Sequence, residues 1–142
     1  MNIELSNESG MEVNEPNIIS VAEFAMTQMG LHVDCDLAIS IVDESRMSEL
    51  HEEWMDLKGP TDVLSFPMDE LIPNSSEPGI VGDIVLCPQF AQAQTSIGLD
   101  AELNLLTIHG VLHCLGFDHA QPHQEKAMFE LQESILSQWQ SR

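Results

Sequence analysis

The chain has 142 residues, 43% of them hydrophobic, which allows one domain with a real core and excludes a disordered chain. Twenty-four Asp and Glu against four Lys and Arg give a net charge of −20, which excludes a nucleic-acid binder held by a broad basic face. Met1 to Gly10 has neither a basic residue nor an apolar run, and no uncharged stretch is long enough to span a bilayer, so neither a secretory signal nor a membrane partner is expected. Cys35, Cys87 and Cys114 are odd in number and far apart, which argues for free thiols in a reducing cytoplasm.

In chain order, Met1–Leu5 reads as a short strand and Ser6–Gly10 as a polar turn. Pro16 can open a helix in which Ile18, Ala22, Ala25 and Met29 form one apolar stripe that Gly30 ends. Val33–Val42 alternates with period two, Leu37, Ile39 and Ile41 on one face, and predicts a strand. Asp43 can cap the next helix, where Met47, Leu50 and Trp54 share a face. Gly59-Pro60 breaks it, Thr61–Phe66 is extended, and Met68–Gly79, with two prolines and two serines, reads as a mobile surface loop. Ile80–Cys87 is apolar on both sides, the mark of a strand covered on both faces. Pro88 opens a helix to Ile97 with Gly98 as its C-cap, and two further helices span Ala101–Leu115 and Pro122–Trp139. Residues 1–142 are thus expected to form a single α/β domain, a small mixed sheet of about four strands with helices packed on it, one of them His-rich.

Four of the six histidines lie between His109 and His123. His109 and His113 are four apart on the predicted helix, so both imidazoles leave one face within reach of one ion. Neighbouring leucines keep them neutral, the ligand form. A left-handed Gly116 turns the chain back and lets His119 supply a third nitrogen. Three protein ligands leave a fourth position open, as in a catalytic zinc site; nickel, cobalt or copper would also accept such ligands in vitro. His123, His32 and His51 are expected to face solvent, and Cys114 to be a packed thiol. The spacing H-x-x-x-H-x-x-G-x-x-H also matches the metzincin peptidases, but Gly110 stands where they carry the glutamate that moves the proton, so peptidase chemistry is not expected.

The run His109-Gly-Val-Leu-His113-Cys-Leu-Gly116-Phe-Asp118-His119 resembles the H-G-x-L-H-L-x-G-Y-D-H signature of the YbeY family of metal-dependent endoribonucleases. Pro60-Thr-Asp-Val-Leu-Ser-Phe-Pro67 is similar to that family's P-T-D-V-L-S-F-P, and Gly82-Asp83-Ile84-Val85-Leu86 to its G-D-I-x-I. The resemblance runs from about Asp36 to Leu136. It implies an α/β fold with a four-stranded sheet and a zinc-type ion on His109, His113 and His119. It also implies hydrolysis of single-stranded RNA in late ribosomal RNA processing, above all 3′ end maturation of 16S rRNA, and in ribosome quality control. Single-stranded rRNA and the ribosome or its proteins are the implied partners, and DNA is not. The ion could act as a Lewis acid on a phosphate oxygen or lower the pKa of a water.

The sequence departs from this pattern in three places. The Tyr-Arg that many members carry before P-T-D, the Arg being thought to bind phosphate, aligns with Trp54-Met55, and Lys58 is the only cation nearby. Phe117 replaces the signature's Tyr, and Cys114 an aliphatic residue. Asp83 and Asp118 are the candidate general bases, Asp118 alternatively supporting a metal-bound histidine; Asp62 reads as a strand-entry residue. A second function is a ribosome-associated assembly factor whose zinc is mainly structural, the acidity suiting basic ribosomal proteins. Residues 1–60 carry −11, 61–100 −6 and 101–142 only −3, so the negative charge is concentrated away from the His-rich helix.

Overall fold

The structure is a computed structural model that describes residues 1–142. Its elements are β1 (Asn2–Asn7), α1 (Glu15–Gln28), β2 (Asp36–Ile41), α2 (Glu44–Met55), β3 (Val63–Pro67), β4 (Ile80–Leu86), α3 (Pro88–Gln94), α4 (Leu99–Cys114) and α5 (Pro122–Gln140). The four strands form one mixed sheet in the order β1-β2-β4-β3. β1, β2 and β4 run parallel, while β3 pairs antiparallel with β4 and leaves its other edge free.

Local chemistry accounts for the helix starts. The Asn14 side chain accepts a hydrogen bond from the Asn17 N–H at the head of α1, and Asp43 accepts one from the Arg46 N–H at the head of α2. The stripe Ile18, Ala22, Ala25 and Met29 is buried, as its spacing predicts. On the sheet, Leu37, Ile39, Ile41, Ile84 and Leu86 face α1 and α4 and join them in the main core, which α5 closes. The opposite face is covered only in part, by α2, through a small cluster of Val42, Met47, Leu64, Val85 and Cys87.

That partial cover corrects two expectations. β4 is enclosed on both faces only at its C-terminal half; Asp83 on the second face is exposed. In α2 only Met47 is buried: Leu50 is half-buried, and Trp54, 62% exposed, meets Phe66 edge-on with ring centroids 6.0 Å apart. α2 reaches past the covered part of the sheet, so its last turn has nothing else to pack on.

Boundaries also differ, among them the end of α2, which comes at Met55 with a left-handed Asp56 as its cap, before Gly59-Pro60 is reached. β2 starts at Asp36, because the His32 Nδ1 accepts the Asp34 N–H and makes a turn of residues the alternation assigned to the strand. α3 ends at Gln94: Thr95 turns extended, its hydroxyl accepts the Ile97 N–H, and Gly98 caps the start of α4 instead of the end of α3. The loop 68–79 is tethered, with the Asn74 N–H donating to the Met29 carbonyl and Asp69 accepting from the Ile80 N–H. No helix is long and apolar enough to cross a membrane.

Candidate metal centre

The last turn of α4 decides the site. His109 and His113 leave one face of the helix, and the helix then ends in a glycine-based reversal. The Phe117 N–H donates to the Leu112 carbonyl and the Gly116 N–H to the His113 carbonyl, with Gly116 at φ +95°. This pairing satisfies two carbonyls at the helix end and suits a residue without a side chain. The chain turns back, and His119 arrives beside the other two. The candidate ligand atoms of His109, His113 and His119 all lie within 4.8 Å of one another, and the three rings sit 4.6 to 5.4 Å apart. His109 and His113 are half-buried and His119 is exposed. The donor set fits a single ion of the kind that takes nitrogen ligands, with room left for one more ligand.

Protonation favours the same use. Burial lowers the His109 pKa below its ordinary value; the hydrogen bond its ring donates to Gln132 opposes this and the charge of His119 adds to it. Burial, together with the charges of His109 and His119, pulls His113 down to about 4. Both imidazoles are therefore neutral at pH 7, with lone pairs available. The same shifts set the pH response of the metal-free protein. A histidine whose pKa is depressed in the folded state binds its proton more readily when unfolded. Stability is then fully present above the ordinary histidine pKa of about 6.5 and is lost as pH falls from there through about 4. Thermal unfolding of the metal-free protein across pH 7 to 4 should show this decline, and a His113→Phe variant should flatten it; an identical decline in the variant would locate the effect elsewhere.

Several supporting groups come from distant parts of the chain. The amide oxygen of Gln132, a buried residue of α5, lies 2.9 Å from His109 Nδ1. An amide oxygen only accepts, so Nδ1 carries the proton and Nε2 is the nitrogen left free for a metal. Phe129 forms an apolar wall, its ring 6.3 Å from His109 and 6.1 Å from His119. Neither residue was anticipated. Gln132 had one sequence signal: it stands in line with Met128, Ile135 and Leu136 on the buried stripe of α5, where a polar residue calls for a partner.

The histidines open into a cleft of about 710 Å³ that runs along the free edge of β3 from α4 to the end of α2. Asp118 lines it, with one carboxylate oxygen accepting the His119 N–H at 2.7 Å, so it steadies the residue that brings in the third imidazole. Asp62 lines it too, as a strand-entry residue: one oxygen takes the Val63 N–H and the other the Gln94 amide. Asp83 does not reach it. Its neighbour Ile84 faces α4, so the alternation of β4 turns Asp83 to the other side of the sheet. There it lines a separate cleft with Ser40, Arg46, Trp54 and Phe66.

His51 also departs from expectation. It is half-buried, lines the histidine cleft, and has its Nδ1 2.9 Å from the Gly59 carbonyl oxygen. His123 is exposed in the first turn of α5, as expected. Cys114 is a buried free thiol that burial pushes up to about 12, so it stays protonated and packed. Gly110 faces the sheet: a Cβ there would meet three carbons of Ile84 at 3.0 Å. Its missing side chain lets α4 lie close on β4 and gives no access to the cleft.

Comparison with known proteins agrees along nearly the whole chain. The family model described as Endoribonuclease YbeY matches residues 3–140. A protein named Endoribonuclease YbeY from Rhodococcus erythropolis is 55% identical, over 98% of this chain and 82% of its own length. A namesake from Mycolicibacterium smegmatis is 53% identical, over 98% and 83%. Among solved structures, the solution structure of a Thermotoga maritima protein superposes with a TM-score of 0.60 at 24% identity, over 98% of this chain and 92% of that one, a likeness of fold.

Proposed function

Because the chain belongs to the YbeY endoribonuclease family and is therefore a nuclease that hydrolyses RNA phosphodiester bonds, we propose that its cleft is the site of metal-dependent cleavage of single-stranded RNA. The observation that carries this reading is the cluster of three imidazoles within 4.8 Å of one another at the mouth of an open cleft. His109, His113 and His119 would hold one zinc ion, which when bound would supply Lewis-acid charge to a phosphate oxygen. Gln132 fixes the tautomer and ring plane of His109, and Asp118 steadies the backbone that presents His119. Phe129 lies on one side of the cluster and gives it an apolar neighbour. The free edge of β3 lies along the cleft and offers unpaired backbone groups to an extended strand. Of the two candidate bases Asp118 lines the cleft and Asp83 does not, which supports Asp118 as the proton acceptor.

The cellular substrate in this reading is the 3′ end of 16S rRNA, in the last steps of maturation and in ribosome quality control, within the cytoplasm. Residues 1–142 act as a single catalytic domain. With a charge of −20 the chain has little long-range attraction for RNA, so the ribosome delivers the strand.

Incubating the purified protein with a single-stranded RNA and the matching duplex tests the reading. Cleavage of the single strand is expected, its loss on exhaustive chelation, and its return when zinc is added. Cleavage indifferent to chelation would sink the proposal. Tight metal binding with no cleavage of either RNA would favour the assembly factor with a structural zinc.

A further inference from the structure

The cleft that holds the histidine cluster has no Lys or Arg in its walls. The chain's four permanent cations are placed elsewhere. Arg46 pairs with Glu49 at 3.1 Å and Lys126 with Glu130 at 3.9 Å, while Arg142 lies over the Trp139 ring. Lys58 is exposed and does not line the cleft. The carboxylates that do line it, Asp62 and Asp118, oppose an anion. Outside the cluster itself, His51 is the one side chain in these walls that can carry positive charge.

His51 is also held in place. A carbonyl oxygen only accepts, so the 2.9 Å contact with Gly59 puts a proton on Nδ1 and leaves Nε2 as the nitrogen free of the backbone. Nδ1–H donates to the carbonyl whether the ring carries one proton or two, so the contact does not compete with a donor role for Nε2. The tether runs from the last turns of α2 to Gly59 in the segment between α2 and β3, next to the strand that forms the cleft's edge. His109 is tethered in the same way by Gln132.

From this geometry we infer that His51 is a substrate-contacting residue: its protonated Nε2–H donates to a non-bridging oxygen of an RNA phosphate lying in the cleft. The inference rests on the reading of the cleft as the RNA-cleaving site. It assigns the contact to a group the motifs did not single out, in a cleft whose walls hold no Lys or Arg beside the metal-binding cluster. The competing role is structural, a brace between α2 and the Gly59 turn.

The variants His51→Asn and His51→Arg separate the two. Asparagine keeps an N–H for the Gly59 carbonyl but has no charge, whereas arginine restores a cation. A charge-assisted hydrogen bond to phosphate leads to an expected rise in KM of about tenfold for single-stranded RNA in His51→Asn. Metal content and thermal midpoint should stay at the parent's values, kcat should change less than KM, and His51→Arg should recover most of the lost KM. Should His51→Asn fail to fold, His51→Gln, which also keeps an N–H donor without charge, takes its place. An uncharged variant with the parent's KM, or His51→Arg no better than the uncharged variant, would overturn the inference while leaving the metal-dependent cleavage intact. A parent protein that cleaves no RNA would instead overturn the reading of the cleft on which the inference rests.

Discussion

Replacing His113 with alanine is expected to abolish bound metal and reduce RNA cleavage by about a thousandfold, with the fold retained. The size follows from what the cluster supplies. His113 is one of three nitrogens within 4.8 Å, and two imidazoles hold a divalent ion far more weakly than three. Loss of the ion removes several kcal/mol of charge stabilisation at the phosphate, which converts to roughly a thousandfold in rate. The fold survives because His113 is only half-buried and faces the cleft, while the core beneath it is built by Val111, Leu112 and Cys114. Gln132→Leu provides a graded companion. It leaves all three ligands but unties His109, and a drop of roughly 10- to 100-fold in metal affinity is expected. Metal content by mass spectrometry and cleavage under multiple turnover check both. A His113→Ala protein that keeps its metal and its rate would remove the cluster from the mechanism.

The largest effect on stability is expected at Gly110. An alanine there places its Cβ 3.0 Å from three carbons of Ile84, inside the ordinary carbon–carbon contact of about 3.5–4.0 Å. Separating α4 from β4 to relieve this should cost about 1–3 kcal/mol. Gly110→Glu adds a carboxylate against a buried isoleucine with no cation near, so its cost should exceed that of alanine and leave too little stability to fold. The glutamate would also point at the sheet and away from the histidine cleft, so this substitution cannot convert the site to peptidase chemistry. Urea unfolding of Gly110→Ala, in the parent and in an Ile84→Val background, tests the packing account. The penalty should shrink in the second background; equal penalties would show that Ile84 is not the obstacle.

These two sites differ in how far they can be read from sequence. The H-x-x-x-H spacing and the glycine three residues on are local facts. One turn of helix sets the first two imidazoles, and a left-handed residue sets the return of His119, so the ligand cluster is legible without the rest of the molecule. The strands and helix caps are legible for the same reason, since period two, period 3.6 and a capping Asp43 act within a few residues. The motif also shows that position 110 lacks a carboxylate, yet it cannot show why glycine is needed. That reason is Ile84, 26 residues earlier on a different element.

Sequence by itself therefore determined the three-histidine cluster that could hold a metal ion, the α/β architecture of about four strands and the lack of a broad basic face. The tertiary structure decided which groups serve the cluster. Gln132 reaches His109 because α5 packs on α4. His51 is held at the cleft because the segment after α2 folds back and brings the Gly59 carbonyl to its ring. Asp83 is turned away because the alternation of β4 commits Ile84 to α4, and a strand cannot present neighbouring residues to the same face. Local periodicity fixes where a side chain sits along its own element; which space it faces depends on what packs against that element. The charge of −20 follows this division: composition excluded a basic groove, and only the fold put a tethered, chargeable imidazole into a cleft that has no permanent cation.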